Sequence, residues 1–205
     1  MANFQSIEND VKVKGFTYVC GVDEAGRGPL AGPVYAAAVI LKENADLEGL
    51  DDSKKLSEKK RDALFDKIKE QSIAYSIVSV EEKVIDEINI LNATMLAMKK
   101  AVEGLSVSAD FALIDGNKTP DLKIGSKAII GGDAKVKSIA AASILAKVSR
   151  DRFMLEMCEK YPQYQFEKHK GYGTKLHYQM LDEFGVSDIH RMSFLKKYFE
   201  AKKNG

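Results

Sequence analysis

Apolar and polar positions divide this chain into short runs separated by turns, with two long stretches of helical period. Residues 16–22 and 34–41 are strand-like runs joined by a Gly/Pro-rich loop, which predicts an antiparallel pair. The polar segment Asp51-Asp52-Ser53-Lys54-Lys55-Leu56-Ser57 leads into a helix beginning near Ser57. The Ser57 hydroxyl suits an N-cap, and Leu64, Phe65 and Ile68 supply one apolar face. Residues 73–80 alternate and predict a third strand. From 89 to 105, Leu91, Met95, Met98, Val102 and Leu105 step by four and three, the mark of an amphipathic helix. Its methionines read as core filling.

Two brief strands follow at 111–114 and 128–130, closed by Asp115-Gly116-Asn117 and by Gly131-Gly132-Asp133. Residues 136–160 read as one long helix, apolar nearly all round between Ile139 and Ala146, as expected of a buried helix. Its alanines would let it sit close to a sheet. The tail from Tyr161 is more polar and aromatic, with at least one helix at 176–184. No repeat, low-complexity tract or linker interrupts the chain. Strands followed by alternating helices and strands predict an α/β domain with a mixed central sheet. Residues 1–205 are expected to form one domain, with about 160–205 as a small helical extension.

Composition narrows the class. With 45% hydrophobic and 30% charged residues, the chain reads as soluble and able to bury a core. A balance of 31 basic against 30 acidic side chains leaves the choice of partner to local patches. Cys20 and Cys158 lack zinc-like spacing and are expected to be reduced, buried thiols of an intracellular protein. The first ten residues lack the basic and apolar regions of a signal peptide, and no apolar stretch is long enough to span a bilayer. A cytoplasmic protein without membrane association is expected.

The chemistry lies in acids at strand ends. Asp23-Glu24, Asp115 and Asp133 each follow a short apolar run and stand beside glycine. Ligands of open α/β sheets gather at the carboxyl ends of strands. If these strands are parallel neighbours, four carboxylates meet at one rim and repel unless cations lie between them. Oxygen donors without a Cys or His cluster suit Mg²⁺ or Mn²⁺. Two such ions about 3.5–4 Å apart would clamp both oxygens of a phosphodiester displacement. Any single Asp has a simpler reading as a turn residue, but three coincidences favour a shared site. On the long helix Ser143, Lys147, Arg150 and Asp151 form a polar stripe with two open readings. It faces the acids, or it is a solvent seam with a Lys147–Asp151 pair. The three histidines do not cluster in the sequence and are expected to be structural, with phosphate or metal-proximal roles for His169 and His190 as the alternative. The Gly-x₄-Gly-Lys-Ser/Thr loop of a phosphotransferase is missing.

Several blocks together resemble ribonuclease HII, the bacterial type 2 ribonuclease H family. They are Val22-Asp23-Glu24-Ala25-Gly26-Arg27-Gly28-Pro29-Leu30-Ala31-Gly32-Pro33-Val34, the 51–57 segment and Ile88-Asn89-Ile90-Leu91-Asn92-Ala93-Thr94. They continue with Ile114-Asp115-Gly116-Asn117, Gly132-Asp133, the 138–152 stretch and His169-Lys170-Gly171-Tyr172-Gly173. The resemblance implies a ribonuclease H-like fold and metal-dependent cleavage of RNA in RNA–DNA hybrids. It also implies incision 5′ to a single ribonucleotide in duplex DNA, giving a 3′-hydroxyl and a 5′-phosphate. Asp23, Glu24, Asp115 and Asp133 resemble the family's catalytic metal ligands, with Asp151 at a position that supports a second ion. Gly26-Arg27-Gly28 resembles the loop whose backbone reads the ribose 2′-hydroxyl, and Tyr172 the tyrosine that packs on the following sugar. Lys54, Ser143 and Lys147 are candidate substrate contacts, whereas Lys55 and Lys168 read as solvated charge.

Ribonuclease HIII, a sister family, usually carries an extra N-terminal domain and lacks the arginine between the two glycines. About 15 residues precede the first run here, which favours ribonuclease HII. A non-catalytic nucleic-acid binder would gain nothing from four acids beside phosphates. A monomer is expected, and the 193–200 segment is read as a helix packed on the domain or beside the site, with partner docking as the alternative.

Overall fold

The computed structural model describes residues 4 and 7–203. Five strands form one sheet: β1 (Val19–Ala25), β2 (Val34–Leu41), β3 (Ser72–Val80), β4 (Phe111–Asp115) and β5 (Gly125–Ile129), in the order β3-β2-β1-β4-β5. The β1–β2 and β2–β3 pairs are antiparallel; β1–β4 and β4–β5 are parallel. The expected mixed sheet and its first hairpin are present.

The strand edges differ from those read off the apolar runs. β1 does not end at residue 22; it runs through both acids, because β2 continues the ladder with Asp23↔Ala37 and Glu24↔Ala36. Nor does it begin at 16. Thr17 and Tyr18 donate their N–H groups to the Asp110 carboxylate at 2.7 and 3.0 Å, which ties that segment down outside the sheet. β5 is polar in its first half and stops before Ile130, which is 72% exposed. The 128–130 run therefore marked only the end of a strand whose pairing with β4 begins at Gly125.

Helices cover both faces. On one lies α3 (Glu82–Glu103), where Ala97, Met98 and Ala101 meet Cys20, Val22, Ala36, Ala38 and Ile114. The helix starts seven residues before the expected 89, and the chain breaks at Asn89, which has φ 66°. Its side-chain oxygen accepts the Asn92 N–H at 3.1 Å, so Asn89 caps a second helical segment at the expected start. On the other face lie α2 (Glu58–Glu70), capped by the Ser57 hydroxyl, and the long α4 (Lys137–Lys160). Ala37 and Val39 of β2 pack there against Ala140, Ala141 and Ile144. The approach of α4 is close enough that a Cβ on Gly21 would overlap the Ser138 carbonyl carbon and the Ile139 nitrogen. A short helix, α1 (Ile7–Lys12), closes the end of the sheet around Val11, Val19 and Leu113.

The C-terminal segment adds α5 (Phe166–His169), α6 (Lys175–Phe184) and α7 (Lys196–Lys203). Its core of Tyr164, Phe166, Leu181 and Leu195 takes in Leu30 and Ala31 from the loop after β1. That loop is stitched to it by Leu30 N–H to Gly171 O (2.8 Å), Gly32 N–H to Ile189 O (2.9 Å) and Arg191 N–H to Leu30 O (2.8 Å). The 193–200 segment is largely α7 and packs on α6 through a Tyr198–Asp182 hydrogen bond of 2.6 Å.

The histidines, scattered in sequence, are brought together in the structural role expected of them. The His169 and His177 rings stack at 4.4 Å and His177 Nε2 lies 3.0 Å from His190 Nε2. Burial pulls His177 and His190 down to about 4, so both rings are neutral at neutral pH. They pin backbone: His169 contacts Tyr164 O, His177 contacts Tyr172 O, and His190 accepts the Ser187 N–H. Cys20 is buried and free as expected. Cys158 is free but only half-buried, because it lies near the end of α4, where its thiol donates to Glu167 at 2.7 Å. Among the described residues no helix is long and apolar enough to cross a membrane.

Gly21→Ala is expected to cost about 1–3 kcal/mol, the usual range for overpacking, read as a fall of about 2–12 °C in Tm. An unchanged Tm would show that α4 can back away from β1.

Candidate active site

Parallel pairing of β1 with β4 runs from Val19↔Phe111 to Val22↔Ile114. The next residue on each strand is an acid, Asp23 on one and Asp115 on the other. Alternation puts Asp23 on the face of Gly21, against α4, and Glu24 on the opposite face. One carboxylate oxygen from each of Asp23, Glu24 and Asp115 lies within 4.8 Å of the others. Asp133 sits just beyond, on the tight turn Gly132–Ala134 that follows β5. The Gly132 N–H donates to Asp115 Oδ1 at 2.6 Å, which fixes this turn against the end of β4.

The group is short of positive charge. Asp23 is only 5% exposed, and burial, then the charges of Glu24 and Asp115, hold it well above the usual carboxylate range. The Ser143 hydroxyl and the Glu24 N–H (2.7 Å) offset part of that. Glu24 is raised by burial and by Asp115 despite the charge of Arg27, whose Nη1 lies 3.4 Å away. Asp115 is raised by burial and by Asp133. Lys54, 78% exposed, reaches in to Asp133 at 3.1 Å. Its own burial works the other way, but Asp133, Asp52 and Asp23 hold its ammonium above the ordinary range. Clustered oxygens that resist ionising together are the donor set of a hard divalent cation. Asp23, Glu24 and Asp115 would hold it, with Asp133 and Lys54 at the margin.

The polar stripe of α4 divides between its two readings. Ser143 faces the acids and lies 2.9 Å from Ser53 Oγ, a buried residue of the 51–57 segment. Lys147 instead pairs with Asp151 at 2.7 Å. Asp151 lies outside the close group of carboxylates. It lines a cavity of about 150 Å³ between α4 and α2 with Glu58, Arg61 and Arg152. Arg150 is fully buried and turns to the loop after β1. Lys55 pairs weakly with Asp51 at 3.9 Å, and Lys168 touches Gln165, both on the surface.

The Gly26-Arg27-Gly28 loop leaves β1 two residues after Glu24. Gly26 has φ +93°, and a Cβ there would overlap Arg150 Nε. A Cβ on Gly28 would lie 3.8 Å from the Tyr172 ring, which is 43% exposed. The loop and the tyrosine thus share one wall beside the acids. Arg191, which no sequence signal marked, sits behind the loop: its Nη2, Nη1 and Nε donate to Gly26 O (2.6 Å), Arg27 O (3.1 Å) and Gly32 O (2.8 Å). It lies in the polar tail outside any periodic run. The proximity of Ser53 and the brace of Arg150 were equally beyond reach of the sequence, because each depends on a contact between distant segments.

The chain is similar to proteins of one family. A profile described as Ribonuclease HII matches residues 20–197. The chain is 58% identical over 194 residues to Ribonuclease HII of Caldicellulosiruptor bescii, covering 95% of this chain and 94% of that one. It is 60% identical over 176 residues to Ribonuclease HII of Burkholderia mallei, covering 86% and 82%. In three dimensions it is similar to the crystal structure of ribonuclease H2 from Pyrococcus horikoshii OT3, with a TM-score of 0.76, 28% identity, and coverage of 92% and 100%.

Removing one charge from the crowded group should stabilise the protein without cation. An acid whose pKa is raised on folding contributes stability at low pH that is lost as pH rises through the folded value. Asp23→Asn is therefore expected to raise Tm in EDTA by about 2–4 °C per kcal/mol relieved, and to flatten the decline of stability above pH 4. Calorimetry from pH 4 to 8 in EDTA checks this; a lower Tm at every pH would show that the acids are already neutralised by their surroundings.

Proposed function

The chain belongs to the ribonuclease HII family and is accordingly a ribonuclease H, a hydrolase of RNA paired with DNA; we propose that it is a divalent-metal-dependent endonuclease that also incises 5′ to single ribonucleotides embedded in duplex DNA. Its products are a 3′-hydroxyl and a 5′-phosphate, and its work is the removal of ribonucleotides and primers from DNA in the cytoplasm, as a monomer. The observation that carries this reading is the group of Asp23, Glu24 and Asp115 oxygens within 4.8 Å, standing directly beside Gly26-Arg27-Gly28.

Asp23, Glu24, Asp115 and Asp133 are the catalytic carboxylates in this reading. The Mg²⁺ or Mn²⁺ ions they would hold, two during turnover, would supply charge neutralisation at the scissile phosphate and lower the pKa of a water. The chain's own groups supply selection and orientation. Gly26, Arg27 and Gly28 bring backbone against the minor groove, where the absence of a Cβ lets the ribose 2′-hydroxyl approach. Tyr172 packs on the next sugar and excludes water from the junction. Arg27 and Lys54 shield Glu24 and Asp133 from the solvent side, where Lys54 would turn to a backbone phosphate. Ser143 holds the Asp23 carboxylate toward the group. Lys147 and Asp151 remain paired on the flank, where Lys147 faces the incoming strand. The helical segment at about 160–205 contributes Tyr172 and the wall that carries it. Phosphate contacts of this kind make binding fall with salt.

Incubating the protein with a duplex that bears one ribonucleotide, with and without Mg²⁺ or Mn²⁺, tests the reading directly. Metal-dependent incision 5′ to the ribonucleotide is expected, and Asp115→Asn should lower it at least about 1,000-fold while hybrid binding persists. Metal-independent cleavage, or full turnover by Asp115→Asn, would sink the shared acid site. Tyr172→Ala is expected to lower junction incision about 10-fold or more with a Tm change below about 2 °C; an unchanged rate would remove Tyr172 from the site.

A further inference from the structure

Arg150 and Arg191 are both 0% exposed, and no step of the reaction described above uses either side chain. A buried guanidinium is costly where its donors go unpaired; Arg191 pairs all three of its nitrogens, whereas Arg150 bonds through Nη2 alone and leaves Nε and Nη1 without partners among the described residues. All three donor nitrogens of Arg191 go to backbone carbonyls of one loop, those of Gly26, Arg27 and Gly32. Arg150 Nη2 bridges two segments, at 3.2 Å from Ala31 O and 2.9 Å from Lys170 O. Its guanidinium lies 5.6 Å from the Tyr172 ring centroid and its Nε packs on Gly26 where a Cβ would intrude. Glu82 and Asp86 supply negative charge behind Arg191.

Planar trans peptides convert this grip into an orientation. When a carbonyl points one way, the N–H of the following residue points the other. Drawing Gly26 O and Arg27 O onto Arg191 therefore turns the N–H groups of Arg27 and Gly28 away from it. Neither N–H donates a hydrogen bond to any described residue. Two adjacent free donors beside the Tyr172 ring form a site for an oxygen of the sugar or its phosphate, and only the inward carbonyls hold them there.

We propose that Arg191 and Arg150 are positioning residues for ribose recognition: Arg191 turns the Arg27 and Gly28 N–H groups outward, and Arg150 sets their spacing from Tyr172. This rests on the functional reading above and assigns the precision of junction reading to two buried side chains that touch no substrate. Lysine retains the charge but cannot fork to three carbonyls. In Arg191→Lys, kcat for the single-ribonucleotide duplex is expected to fall about 100-fold, the effect of a displacement near 1 Å, with KM within about 3-fold. On a continuous RNA–DNA hybrid, where every register presents a 2′-hydroxyl, the fall should stay below about 10-fold. Mn²⁺ affinity of the protein alone, measured by calorimetry, should stay within about 2-fold, because the acids lie on β1 and β4 outside the brace.

A merely structural role would lower both activities together, and an equal fall on the two substrates overturns the proposal, as does an unchanged ratio. Should Arg191→Lys fail to fold by circular dichroism, Arg150→Lys decides on the same ratio. A wild-type protein that incises neither substrate overturns the functional reading itself. Wild-type activity on both, with the ratio preserved in the variants, overturns this inference alone.

Discussion

The register of β1 on β4 puts Asp23 and Asp115 side by side, one residue past the last paired apolar positions, and Glu24 follows on the same strand. Desolvated like charges at this spacing repel strongly, so the group is tenable only because something else holds the backbone in place. Three structural features do so. β2 keeps β1 extended through both acids. The Gly132 N–H anchors the turn that carries Asp133. α4 lies tight against Gly21, and its Ser143 offers Asp23 a hydrogen bond. The fold spends its packing strength keeping open a place where negative charge accumulates, which is what a cation-dependent site requires.

The same economy governs the loop that follows. A chain leaving a strand beside three acids would relax toward any available donor, yet its carbonyls are turned inward. Two buried guanidiniums hold them, Arg150 of α4 at Ala31 O and Arg191 of the C-terminal segment at Gly26, Arg27 and Gly32 O. The segment from about 160 onward is therefore part of the site's construction, since Leu30, Ala31 and Gly32 are hydrogen-bonded or packed into it. The three histidines belong to this second framework, fixing Tyr172 O and Gly171 N–H beneath the exposed tyrosine ring.

Much of this was legible in the sequence. Apolar runs located all five strands, the Ser57 cap and the whole of α4, because these features depend on local period and capping chemistry. The acids were legible as a group because strand ends converge at one rim of such a sheet. Strand limits were not. β1 outruns its apolar stretch because its length is set by pairing with β2, and β5 begins in polar residues because it lies at the sheet edge. The kink at Asn89 depends on a left-handed backbone that no apolar repeat encodes. Arg191 and the histidine cluster were illegible for one reason: their partners are carbonyls and rings from distant segments, and only the closed fold brings them together.

Buried cations and buried acids stand a few residues apart here, yet they do not pair across the site. Arg150 and Arg191 give their hydrogen bonds to carbonyls rather than to Asp23 or Asp115, and Lys147 is occupied by Asp151. Among the described residues only Arg27 and Lys54, both long and solvent-reaching, touch the acids, at 3.4 and 3.1 Å. A fixed internal cation would neutralise the carboxylates permanently and close the site to a metal ion. Mobile ones can yield, because an exposed ion pair is worth only about 0–1 kcal/mol. The division between rigid buried arginines that shape backbone and loose surface cations that shield acids lets one small rim be preorganised and still exchangeable.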